Sequence, residues 1–261
     1  MRHVRVAAWV LAVVGGCAGG PLAQADETTM CDKYINQVPA TITKAGHYCL
    51  RSNINTSLQT GAAIVIKSDD VWLDFNNFVI DNTAAGPGVA GEGIYSAGYR
   101  NVTIRNGTLR GFAFGIELET IASGRNYTVE DMRLEGNTIV GIFMPQSLGT
   151  GGGHVIRRNV IRDTGGSTDP ASGPAGGIVL GGGGHVSENE IINVFPAAGG
   201  GQGIGIELRE GTAIVAGNRV TRADAGIACD FPEKYLRDNV VVVNGTPYGA
   251  LCTTVGATNY P

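Results

Sequence analysis

The sequence predicts an all-β fold, a parallel β-solenoid in which each coil stacks on the one before. Three observations carry the prediction. A small residue followed by an apolar one recurs along the chain, at its shortest spacing about every 21–23 residues. Two further apolar columns, five residues apart, recur in each unit. An asparagine stands between those columns in the last four full units. Composition agrees, since 41 of the 261 residues are Gly and only 10 are Pro. That Gly share is about twice the usual ~7%. Scarce proline argues against a Pro/Gly-rich disordered chain, and the lack of a Gly-X-Y period excludes collagen. Charged residues make up 16% of the chain.

The first segment is expected to stand outside the fold. Met1 to Ala25 reads as a secretory leader: Arg2 and Arg5 precede a short apolar run, Val6 to Val14, and Ala23-Gln24-Ala25 forms a small-residue cleavage site. The run is too short to span a bilayer. A lipoprotein reading at Cys17 stands beside it, although the usual Leu at the start of that box is missing. Cleavage after Ala25 leaves 17 basic and 23 acidic residues, a net charge of −6. A secreted or periplasmic location with no membrane span follows, and an acidic chain without a basic cluster argues against nucleic-acid binding.

Four cysteines remain after the leader, and three pairings are open to them. Cys31–Cys49 and Cys229–Cys252 are the expected bridges, each close in sequence and each stapling one end. No CxxC suggests a metal site. Asp26 to Thr60 is expected to cap the first coil, blocking an exposed sheet edge.

The body then runs from Gly61 to the end. Its anchors are Ala63-Ile64, Gly93-Ile94, Gly115-Ile116, Gly141-Ile142, Gly177-Ile178, Gly205-Ile206, Gly226-Ile227 and Gly249-Ala250. The first apolar column is Phe75, Ile104, Val129, Ile156, Val186, Val215 and Leu236. The second is Ile80, Leu109, Leu134, Ile161, Ile191, Val220 and Val241. Between them Asn159, Asn189, Asn218 and Asn239 form an expected ladder, with Phe78, Gly107 and Met132 in the earlier units. The anchor glycines read as tight corners between stacked layers. Seven full coils and a partial eighth give a rod of roughly 35 Å at the ~4.8 Å strand spacing. A β-sandwich would show turns every ~8–12 residues but would not preserve three columns and an asparagine row.

The runs Val71-Trp72-Leu73-Asp74-Phe75-Asn76 and Asn101 to Leu109 resemble the repeat consensus of the right-handed parallel β-helix superfamily, the pectate-lyase-like fold. The resemblance covers about Gly61 to Cys252. It implies a right-handed parallel β-helix of about seven to eight coils, with a groove along one sheet in which such enzymes act on polysaccharides. It matches no single enzyme family's catalytic motif.

Insertions point to the same face. They lie at Asp81–Gly93, Arg162–Gly177 and Ile192–Gly205 before the anchored strand, and at Glu119–Tyr127 and Pro145–His154 after it. Outward positions of that strand place Tyr95, Glu117 and Phe143 on consecutive coils, a carboxylate between two aromatic faces. Glu119 shares the strand and face of Glu117, roughly 7 Å along it. Glu117 and Glu119 are candidate acid and base for glycoside hydrolysis, or ligands for Ca²⁺. For elimination on a uronate polymer, Tyr95 is the candidate base and Arg209 or Arg125 the candidate neutraliser of the substrate carboxylate. Phe143 and Glu207 complete the expected substrate contacts. His154 and His185 read as turn or surface histidines. The expected activity is that of a lyase or epimerase on a uronate polymer, with hydrolysis second. A non-catalytic carbohydrate-binding or surface-interaction solenoid is the rival class.

Overall fold

The computed structural model describes residues 31–121, 124–146, 151–196 and 200–254. The expected leader, its cleavage site and Cys17 lie outside them. The regular secondary structure of the described residues is strand, apart from one short 3-10 turn at Thr83–Ala85.

Nine parallel strands build the sheet that carries the anchors: Ala40–Ile42, Ala62–Ile66, Glu92–Ala97, Phe114–Glu119, Val140–Met144, Ala175–Leu180, Gly203–Leu208, Ala225–Cys229 and Thr246–Tyr248. A 16-stranded parallel sheet carries the two other columns. The segment expected as a cap contributes Ala40–Ile42 to the first sheet, where Ile42 pairs with Ile66. It thus adds one rung to the eight read from the repeat.

The buried columns follow the sequence period. Ile64, Ile94, Ile116, Ile142, Ile178, Ile206 and Ile227 stack in one register. Ile80, Leu109, Leu134, Ile161, Ile191, Val220 and Val241 stack in another. All are essentially inaccessible to solvent. Each coil alone would leave these faces in water, so stacking supplies the hydrophobic drive.

Two registers differ from the sequence reading. Leu73, rather than Phe75, pairs with Ile104. The first turn holds extra residues, Asn76 and Asn77, both left-handed at φ 49° and 62°. Phe75 instead fills the space above Gly107, where an added Cβ would lie 2.1 Å from that of Phe75. At the other end Ile227 pairs with Tyr248, so Pro247-Tyr248, not Gly249-Ala250, forms the last anchor. The Cys229–Cys252 bridge still forms, with Cα atoms 5.2 Å apart, because the turn after Tyr248 returns Cys252 to its partner. Cys31–Cys49 closes the other end at 5.8 Å.

The anchor glycines are not corners. They lie inside strands, and their φ angles are not left-handed. Their need is for space. A Cβ on Gly93, Gly115, Gly141 or Gly177 would lie 2.4–2.7 Å from the carbonyl oxygen of the next anchor glycine. The same Cβ would press on the second apolar column, at Leu109, Leu134, Ile161 and Ile191.

The asparagine ladder is present and buried. Nδ2 of Asn159 donates to Oδ1 of Asn189 at 2.9 Å, Asn189 to Asn218 at 2.9 Å, and Asn218 to Asn239 at 3.0 Å. Each accepting oxygen also takes the backbone N–H of the preceding member at 3.0 Å, and Met132 N–H enters the ladder at Asn159. The left-handed turn residue is the one before each asparagine, as at Arg158, Glu188, Gly217 and Asp238. The asparagines therefore serve as hydrogen-bonding wedges, which turn backbone groups inward without leaving them unpaired.

Candidate functional site

The anchored sheet sets a row of side chains across the coils. Strand register aligns Val65, Tyr95, Glu117, Phe143, Val179, Glu207 and Ala228. In a strand, side chains alternate between faces, so the residue after each buried anchor Ile must point out. The outer face is polar at Glu117 and aromatic on both sides of it.

Glu117 is nevertheless only 8% exposed. Neighbours on adjacent coils cover it, and its carboxyl is hydrogen-bonded with Glu119. Burial, then the negative charges of Glu92 and Glu119, push its pKa up to about 7. Glu92 is raised as well, by burial and by Glu119. The Tyr95 phenol is pushed upward by burial and by the same three carboxylates. The site is a cluster of three acids, flanked by an aromatic ring.

Beyond Glu117 the surface is apolar and then ionic. The rings of Phe114 and Phe143 lie 5.2 Å apart, tilted by 33°. The Arg209 guanidinium sits 5.7 Å from the Phe143 centroid and donates from Nε to Glu207 at 2.9 Å. Glu207 stands three rungs from Glu117, about 14 Å at the usual spacing.

A scan against family models matches the right-handed β-helix region over residues 42–220. The chain belongs to this right-handed β-helix family. No curated protein and no solved structure matches it. In this β-helix protein the two disulfides fit an oxidising compartment, extracellular or periplasmic. Among the described residues no helix is long and apolar enough to cross a membrane.

Of the residues expected at the site, the β-helix brings Tyr95, Glu117 and Glu119 together and sets Phe143 beside them. Arg209 is committed to Glu207. Arg125 is exposed on the turn beyond the strand, in a backbone bridge with Arg100. The charges acting on Tyr95 and Glu117 are all carboxylates. Among the described residues no three or more His, Cys, Asp or Glu are grouped so as to hold a metal ion.

Glu92 is the residue the sequence reading missed. It lies two positions before Ile94, outside the positions after the anchor from which the outward face is read. Its register partners, Ala62 and Phe114, put it on the rim of the same face. His154 also departs from expectation. It is fully buried, its ring stacks on Tyr127 at 5.2 Å, and Nδ1 accepts the Tyr127 backbone N–H at 3.4 Å. Burial pushes it down to about 4. His185 is exposed.

Proposed function

We propose that this β-helix protein is secreted through its N-terminal leader and hydrolyses glycosidic bonds of an extracellular polysaccharide at the Glu117 cluster. The observation that carries the reading is a buried carboxyl, Glu117, set among two further carboxylates and flanked by Tyr95 and Phe143, with burial and the like charges pushing its pKa up to about 7. A sugar ring stacks its C–H face on an aromatic side chain. Glu117 then gives its proton to the glycosidic oxygen as the bond to C1 breaks. Water adds at C1, and its proton passes to Glu92, the carboxylate of the cluster that is not hydrogen-bonded to Glu117.

Elimination on a uronate loses support. Tyr95 is moved away from the phenolate a base requires, and Arg209 is held by Glu207. The charges acting on Tyr95 and Glu117 are carboxylates, which repel a uronate carboxylate. The second reading, a non-catalytic saccharide-binding solenoid, draws on the aromatic run Tyr95, Phe114 and Phe143.

Neutral and uronate polysaccharides, incubated with the protein, distinguish these readings. Hydrolysis predicts new reducing ends without an unsaturated chromophore, lost in Glu117→Gln. Unsaturated products would replace it by elimination. Retained binding with no product from any polymer would leave the binding module.

A further inference from the structure

A second surface, on the other sheet, carries the elements of a sugar site. There a cleft of about 550 Å³ opens beside Trp72. Trp72 is 38% exposed, a large apolar side chain left facing solvent on an outward strand position. Its ring is held from two directions. The Arg105 guanidinium lies 4.7 Å from its centroid and is itself fixed by Asp74 at 2.8 Å. His47 meets it edge-on at 4.9 Å and 88°. Arg105 lies two positions beyond Thr103 on the next strand. The cleft instead opens toward the strand starts, at Asp70, Asn101 and Asn126. Trp72 lines that cleft together with them.

The rim is polar and already fixed. Nδ2 of Asn101 donates to Oδ1 of Asp70 at 2.7 Å, and Nδ2 of Asn126 donates to Oδ1 of Asn101 at 3.0 Å. All three residues are left-handed, with φ of 55–57°, so the chain of amides repeats from coil to coil beside the ring. Each amide nitrogen keeps a second hydrogen. No lysine or arginine lines the cleft, and Asp32 and Asp70 do.

From this we infer that the Trp72 cleft is a second binding site, separate from the Glu117 cluster, that takes a neutral pyranose of a polysaccharide chain. The sugar packs against the exposed part of the indole, and its hydroxyls bond the fixed amides of Asn101 and Asn126. Asp32 and Asp70 on the rim, with Arg105 tied to Asp74, select against uronates. The inference shares with the proposed function only that the ligand is a saccharide, and it does not need turnover.

The chain contains two tryptophans, Trp9 in the expected leader and Trp72. In full-length Trp9→Phe protein, tryptophan emission reports this cleft alone. Titration with cellohexaose, xylohexaose and mannohexaose is expected to give a saturable change with at least one of them, and none with oligogalacturonate. Asn101→Ala, which keeps the probe, is expected to weaken that binding roughly 2- to 10-fold, the worth of one lost hydrogen bond. Glu117→Gln is expected to leave the titration unchanged, whatever it does to hydrolysis. No saturable change with any neutral oligosaccharide, equal response to oligogalacturonate, or an unaltered affinity in Asn101→Ala with native circular dichroism would each overturn the inference. Loss of hydrolysis alone would overturn only the proposed function.

Discussion

A Cβ placed on Gly177 would lie 2.5 Å from the carbonyl oxygen of Gly205 and 2.6 Å from Cγ2 of Ile191. Backbone and core of successive coils thus meet where a side chain has no room. Gly177→Ala should destabilise the fold by about 1–3 kcal/mol through overpacking. Gly173, exposed, with ordinary φ and nothing within 4 Å of its notional Cβ, is the control. Gly173→Ala should be neutral or slightly stabilising. Denaturant midpoints of the two variants check the contrast, and equal effects would refute the spatial argument.

Asn189 stands in the middle of the ladder. Its Oδ1 accepts from the backbone and side chain of Asn159, and its Nδ2 donates to Ile156 O and to Asn218. Asn189→Ala leaves several buried groups unpaired and should cost about 3 kcal/mol or more. Asn189→Asp keeps the acceptor and loses the donor, and under neutral conditions it should be no milder, since it also buries a charge. Thermal unfolding of both variants measures this.

Two buried groups give opposite pH slopes. Glu117 titrates near 7 in the fold and near 4.5 unfolded, so the folded state holds the extra proton and stability falls as pH rises between those values. His154 titrates near 4 in the fold and near 6.5 unfolded, so the unfolded state holds the extra proton and stability falls as pH drops through that window. The two slopes oppose each other in the wild type. Glu117→Gln should steepen acid destabilisation, and His154→Gln should make the protein gain stability on mild acidification, relative to its own value at neutral pH. Melting temperatures across pH 4–8 would show crossing curves.

The bridges close loops with sequence separations of 18 and 23 residues at the two ends of the described chain. Losing either should cost about 3 kcal/mol by the loop-entropy argument. Cys229→Ser with Cys252→Ser, compared with wild type under oxidising and reducing conditions, checks it: reduction should lower the wild-type midpoint further than that of the double variant.

Much of this fold is legible in the sequence because stacking repeats its demands. Ile116 and Leu134 recur at fixed offsets since each must cover the coil beside it, and the asparagines from 159 onward announce the ladder directly. The failures have local causes. Phe75 sits in a longer first turn, which shifts an apolar residue out of its column without changing its hydrophobicity. The last anchor carries Pro247 where the six before it carry glycine, so Gly249 draws the register two residues too far. The site is less legible than the fold. Alternation places Tyr95, Glu117 and Phe143 on one face, but it cannot show that Glu117 is covered or that Arg209 is taken by Glu207. Glu92 enters from before the anchor, where register, not alternation, decides the neighbours.

The central claim is that Glu117 supplies a proton to a glycosidic bond. Its most direct measurement is the pH dependence of kcat for release of reducing ends from whichever polysaccharide yields them in the substrate panel. The account predicts a fall on the alkaline side with an apparent pKa near 7, and a loss of about 10²–10⁴-fold in kcat for Glu117→Gln with the fold intact. A rate that stays level across neutral pH, or a folded Glu117→Gln variant that turns over at the wild-type rate, would contradict it.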